Sequence, residues 1–190
     1  MKVVAFNGSP RDNGNTSIMI KHVFKVLENE GIDCEMINIA GNIKRGCTAC
    51  LWCRESKEKR CYYDDDIVNS CVEKMLEADG ILIGSPTYFA DVTAETKALI
   101  DRAGYVVKGN GDLLKRKVGA AVAVARRAGA INVFQTINNF FFINGMIVPG
   151  SIYWNLGLGK DKGDVESDQE GIATMTELGN NLAWLLKKIK

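Results

Sequence analysis

Only one histidine, His22, occurs in the chain. A histidine-rich metal site is thereby excluded, and a histidine-dependent nucleophile triad has little to work with. Prolines number 3, and no internal repeat or low-complexity tract interrupts the sequence. Net charge is almost absent too: 24 basic residues oppose 23 acidic ones, leaving +1. That balance argues against electrostatically driven binding to nucleic acid or a membrane surface. No apolar run reaches the about 18 residues that mark a membrane span. Met1 and Lys2 lead straight into Val3, Val4, Ala5 and Phe6, with nothing like a signal peptide. A cytoplasmic protein is expected.

What is present is ordinary for a soluble globular chain: 46% apolar and 25% charged residues. At 190 residues the expectation is one domain, residues 1–190. Such a chain buries enough surface to need no disulfides. Its six cysteines, in a reducing compartment, point instead to metal or redox chemistry.

Short apolar runs alternate with helical patterns. Val3 to Phe6 reads as a strand covered on both faces, ending in the turn cluster Asn7-Gly8-Ser9-Pro10. A helix follows from about Thr16 to Gly31, then a strand over Cys34 to Ala40. Residues 41–65 are irregular and cysteine-rich. Ile67, Val68, Cys71, Val72, Met75 and Leu76 form a clear helical stripe, with Asp64, Asp65 and Asp66 placed to suit its positive end. Gly80 to Gly84 and Val118 to Ala125 are two more buried strands, separated by a helix over about Thr93 to Ala103. Ile131 to Asn144 is expected to be helical, Met146 to Pro149 to be the fifth strand, and Ile172 to Ile189 to form a terminal helix. Five strands alternating with helices mean a doubly wound parallel sheet, with ligands beyond the strands' carboxyl ends.

The loop after the first strand, Gly8 to Ser17, is neither a Walker A loop nor G-x-G-x-x-G. It still offers hydroxyls at Ser9, Thr16 and Ser17, an arginine at Arg11, Asn15, and amides at a helix start. A phosphate monoester suits that set, although a plain strand-to-helix turn would use the same residues. G-S-P-R-x-x-G-N-T-S resembles the phosphate loop of the flavodoxin-like NADPH-dependent FMN reductases. A second stretch, Ser85-Pro86-Thr87-Tyr88-Phe89, is similar to the segment that lies against the isoalloxazine ring in that family. The resemblance, over about Lys2 to Asn155, implies a flavodoxin-like fold and bound FMN. It further implies that Arg126, Arg127 and Gly129 follow the fourth strand where relatives meet the flavin edge. Two arginines there depart from the glycine-rich family pattern and would equally serve a subunit interface.

Cys47-x2-Cys50-x2-Cys53-x7-Cys61 puts four thiols within 15 positions. The spacing is close to ferredoxin runs, with the fourth cysteine displaced. A zinc site would ordinarily use two separated cysteine pairs, and a loop of free thiols is the competing use. Cys34 and Cys71 read as core. The motif also resembles that of the iron–sulfur flavoproteins, a branch of the same family. By that likeness Cys47, Cys50, Cys53 and Cys61 would ligate a 4Fe–4S cluster. Electrons would enter from a one-electron donor such as ferredoxin, pass to FMN, and leave to a small acceptor. The alternatives are an NAD(P)H-dependent FMN or quinone reductase without a cluster, and a non-enzymatic electron carrier. Relatives imply a homodimer or homotetramer. His22 reads as a surface or half-buried side chain, Phe140 to Phe142 as core or oligomer interface, and Tyr153-Trp154-Asn155 as packing of the C-terminal segment, with a wall of the flavin site as the other use.

Overall fold

The computed structural model describes residues 1–189. Twelve elements follow one another: β1 (Lys2–Asn7), α1 (Asn15–Asn29), β2 (Asp33–Asn38), α2 (Trp52–Glu55), α3 (Val68–Glu77), β3 (Gly80–Pro86), α4 (Ala94–Gly109), β4 (Val118–Ala125), α5 (Ala130–Ile143), β5 (Leu156–Leu158), a 3-10 turn (Asp164–Ser167) and α6 (Gln169–Ile189). All five strands are parallel, in the order β2-β1-β3-β4-β5.

Each central strand is apolar throughout because alternate side chains feed two different cores. Val3, Ala5, Leu82, Val122 and Val124 point to one face and pack against Met19, Ile20, Val23 and Leu27 of α1 and Leu178 and Leu182 of α6. Val4, Phe6, Ile81, Ile83 and Ala123 point to the other, against Val72 and Met75 of α3, Leu99 and Val106 of α4, and Phe140 and Phe141 of α5. The chain runs outward from β1 to β2, then returns to β3 on the other side of β1. A crevice at the carboxyl ends is the geometric result.

The fifth strand is not where the apolar run Met146 to Pro149 suggests. That segment makes one parallel bridge, Ile147 with Val118, and Met146 is buried instead. Pro149 has no amide to extend a ladder, so the chain leaves the sheet there. It returns as Leu156–Leu158 beside Ala123–Ala125, a strand hidden by its central glycine. Gly157 is required by close approach: a Cβ there would lie 2.5 Å from Met19 Cε. Helix α4 also runs six residues past Ala103, because Val106 and Val107 are buried and tertiary packing overrides their weak helical preference. Within the cysteine-rich stretch, expected to be irregular, Trp52–Glu55 forms one helical turn.

Candidate functional site

Four loops meet at the carboxyl ends of β1, β3, β4 and β5 and line an open cleft of about 120 Å3. Ser9, Arg11, Asn15 and Thr16 line it from the first loop, Pro86, Thr87 and Tyr88 from the second, and Ala125 and Arg126 from the third. Gly159 and Lys160, from the loop after β5, complete the wall. Those two were missed at the sequence level because the fifth strand was placed ten residues too early. The run Gly157-Leu158-Gly159-Lys160 is the signal that would have found them.

The first loop is built to leave a helix start open. Gly14 caps α1 without a side-chain acceptor, and no acid lies in the first turn, so the positive end of the dipole faces the cleft uncompensated. Ser17 donates its hydroxyl to the Gly14 carbonyl at 2.8 Å, and the Ser9 hydroxyl accepts the Arg11 amide at 3.3 Å. Asn15 does not point inward alone. Its Nδ2 donates to the Asp161 carbonyl at 2.9 Å and its Oδ1 accepts the Gly163 amide at 2.8 Å. Arg11 donates to the Lys160 carbonyl at 3.0 Å. These bonds stitch the first and last loops together across the cleft.

In the second loop, Ser85 is fully buried: it accepts the Thr93 amide at 3.1 Å and donates to the Pro86 carbonyl at 2.9 Å. Its side chain serves the scaffold. Tyr88 and Asp91 close a tight turn through reciprocal amide–carbonyl bonds, with Phe89 and Ala90 both left-handed at φ 47° and 63°. Phe89 projects wholly into solvent and does not line the cleft, whereas Tyr88 does. The Thr87 hydroxyl is buried and finds no hydrogen-bond partner. An orphaned hydroxyl of this kind costs about 1–3 kcal/mol unless a ligand satisfies it. Gly129, at φ 87°, begins α5 and packs so close to the second loop that a Cβ would lie 3.0 Å from Ala90 Cα. Arg126 and Arg127 are exposed and, with Thr87 and Ala128, line a shallow pocket beside the cleft.

The cysteine loop forms a separate site that shares no lining residue with the cleft. Cys47, Cys50, Cys53 and Cys61 line one small cavity of about 20 Å3, together with Leu51, Tyr62, Arg102 and Tyr105. Ala49 and Leu51, one of the two residues in each gap between the first three cysteines, are left-handed at φ 53° and 59°, which lets the chain curl and turn the thiols to one side. Cys53, on α2, is buried, and its thiol is pushed up by burial and by the proximity of Cys61, Cys47 and Cys50. Donors already meet two of the sulfurs: the Ala49 amide at 3.4 Å from Cys47 Sγ, and Arg102 Nε at 3.4 Å from Cys61 Sγ. Asn69 fixes the backbone at the fourth cysteine, accepting the Cys61 amide at 2.7 Å and donating to the Cys61 carbonyl at 3.1 Å. Among the described residues, no three histidine, cysteine or acidic side chains meet as a ready-made single-ion site.

The acidic triplet does more than face a helix. Asp64 pairs with Arg60 and Asp65 with Arg45, while Asp66 is buried against Arg102 and accepts the Val68 amide at 3.2 Å. Of the four basic residues between Cys53 and Cys61, three are engaged by the chain itself. Arg54 lies over the Tyr105 ring, Lys57 donates to the Gly109 carbonyl, and Arg60 holds Asp64. Cys34 and Cys71 lie apart, their thiols pushed by burial to about 12. His22 finds a partner that sequence proximity could not reveal, Glu166 at 3.2 Å.

The profile of the family described as NADPH-dependent FMN reductase matches residues 1–161. The chain belongs to that family. An iron-sulfur flavoprotein of Methanocaldococcus jannaschii is 40% identical to this family member over 197 residues, covering 100% of both chains. One from Methanosarcina thermophila is 32% identical over 198 residues, covering 100% of this chain and 97% of its own. The crystal structure of RosB, with bound 8-demethyl-8-formylriboflavin-5'-phosphate, covers 100% of this chain and 80% of its own at 22% identity and TM-score 0.78, which shows the shared fold. The family member is therefore an FMN-dependent oxidoreductase with a flavodoxin-like sheet. No helix among its described residues is long and apolar enough to cross a membrane.

Proposed function

We propose that the cleft binds FMN and that the cysteine loop holds a 4Fe–4S cluster, so that electrons pass singly from a donor such as ferredoxin, through the cluster to the flavin, and on to a small acceptor. Convergence of Cys47, Cys50, Cys53 and Cys61 on one cavity carries the cluster half of this reading. A flavin exchanges one or two electrons whereas a cluster passes one, which makes the pair a converter between the two kinds of partner.

In the flavin half, the Ser9 and Thr16 hydroxyls, the open α1 start and Arg11 suit a phosphate. Ser17 contributes its amide, its hydroxyl being committed to Gly14. Pro86 and Tyr88 supply an apolar wall, and the unpartnered Thr87 hydroxyl supplies a polar contact to the ring edge. Arg126, with the Gly129 turn behind it, would oppose negative charge developing on that edge. Ser85 and Phe89 shape this loop without side chains in the cleft. The whole chain, 1–190, is read as one FMN-binding domain with the cysteine loop inserted at about 41–65. A homodimer or homotetramer is part of this reading, with exposed Phe142, Ile143, Tyr153, Trp154 and Trp184 as large apolar side chains that an interface would cover.

Anaerobic reconstitution with iron and sulfide should add a broad visible band, bleached by dithionite, to the flavin spectrum. Iron-free protein with normal FMN content would overturn the cluster half alone. A second reading, direct reduction by NAD(P)H, is favoured by the shallow Arg126-Arg127 pocket beside the cleft, which suits a phosphorylated dinucleotide. Rapid bleaching of the flavin on stopped-flow mixing with NADPH would support it, and slow or absent bleaching would count against it.

A further inference from the structure

Arg102 is the largest fully buried side chain among the described residues, and it is spent on the cysteine loop. Its Nη1 donates to the Arg45 carbonyl at 3.3 Å and its Nη2 to the Tyr63 carbonyl at 3.1 Å. Arg45 and Tyr63 bracket the loop, two residues before Cys47 and two after Cys61. Nε donates to Cys61 Sγ at 3.4 Å, and Nη1 also holds the buried Asp66 carboxylate. One guanidinium thus ties both ends of the loop together and touches a sulfur between them. Asp66 cancels the arginine charge at a distance, so Cys61 meets a fixed local donor more than a net positive charge.

Resting on the cluster reading above, we propose that Arg102 is a positioning residue for the cluster, its Nε–H bond orienting Cys61 Sγ and raising the potential at which the cluster accepts an electron. Donors to ligand sulfurs stabilise the more negative, reduced form, and so move the potential upward. One electron arrives from the one-electron donor; no bond is made or broken, and Arg102 keeps its proton.

Two measurements test this. Protein carrying 15N-labelled arginine, reconstituted anaerobically and reduced with dithionite, should show arginine 15N coupling in pulsed EPR of the cluster, abolished in Arg102→Lys. In redox titration, Arg102→Lys should lower the cluster's ratio of reduced to oxidised form about tenfold at a fixed potential, a fall of about 59 mV for one electron. Asp66→Asn, which leaves the arginine charge uncancelled, should shift the cluster potential the opposite way, with the flavin potential unmoved in both variants. A merely structural role would lower iron content without splitting the two variants in sign. If Arg102→Lys holds no cluster, the wild-type coupling alone decides. A cluster with no arginine coupling, or with potentials unchanged or shifted in one direction in both variants, overturns the proposal. Wild-type protein that takes up no iron overturns the cluster reading itself, and is recognisable as such before any variant is made.

Discussion

Arg102 and Asp66 form an ion pair from which water is shut out, their side chains 1% and 0% exposed. The pair joins α4 to the segment leading into α3, and the cysteine loop is folded over it. Removing one partner of such a pair leaves a charge buried alone, at a cost of about 3–5 kcal/mol. Arg102→Met should lower the urea stability of cluster-free protein by that amount. Adding Asp66→Leu to it should recover a large part, because both charges are then gone. Urea midpoints of the two single variants and the double variant check this. A double variant less stable than either single one would refute it.

The same carboxylate predicts an acid response. Burial by itself would push Asp66 up, but the Arg102 hydrogen bond and the Lys44 and Val68 amides outweigh it and hold the group below its ordinary value of 3.8. A lowered folded value means stability that is complete above the unfolded value and is lost as pH falls through the folded one. The stability gap between wild type and Asp66→Asn should therefore be constant above about pH 5 and shrink below about pH 4. Urea titrations across that range report it.

Thr87 predicts opposite effects on stability and binding. Its buried hydroxyl has no partner in the protein alone. Thr87→Val keeps the shape and removes the orphan, so apoprotein should melt at the same temperature or higher while FMN binds about tenfold more weakly. Thermal melts and fluorescence titration with FMN separate the two. Weaker apoprotein with unchanged affinity would show that the hydroxyl does not face the ligand.

At the helix start, Thr16→Ala removes a hydroxyl proposed for phosphate. FMN affinity should fall about 10- to 100-fold, the worth of a hydrogen bond to a charged group. Riboflavin, which lacks the phosphate, should bind wild type and variant alike. A parallel loss for riboflavin would place the effect elsewhere.

The cysteines should divide by reactivity. With their thiols near 12, Cys34 and Cys71 are ionised to about one part in ten thousand at pH 8. Brief iodoacetamide treatment of folded, cluster-free protein should leave both unmodified while exposed Cys50 and half-buried Cys47 and Cys61 react. Peptide mass spectrometry reads this directly, and early labelling of Cys71 would contradict the core packing.

Sequence pattern alone was enough for the central strands, because a run such as Val3 to Phe6 has no polar side on which to meet water. It also picked out the four clustered cysteines, which line one cavity, and the first two cleft loops, though Ser85 and Phe89 of the second turn away from the cleft. The fifth strand escaped because a three-residue strand with a central glycine carries little apolar signal, while Met146 to Pro149 carries more yet makes a single bridge, Ile147 with Val118, and buries Met146 alone of its four residues. Lys160 was lost with it. Arg102 lies 41 positions from the sulfur it contacts. Its place three residues after buried Leu99 and next to buried Ala103 was the clue that this arginine faces inward.

The linear chain thus determined which groups were available: apolar strands, an open helix start, and thiols at short spacing. Only the folded chain decided which of them share a site. Spacing along a backbone sets the neighbours within one turn, whereas contacts such as Arg102 with Cys61 or Asn15 with Gly163 arise from how separate helices and loops pack on one sheet, and no local pattern encodes that distance.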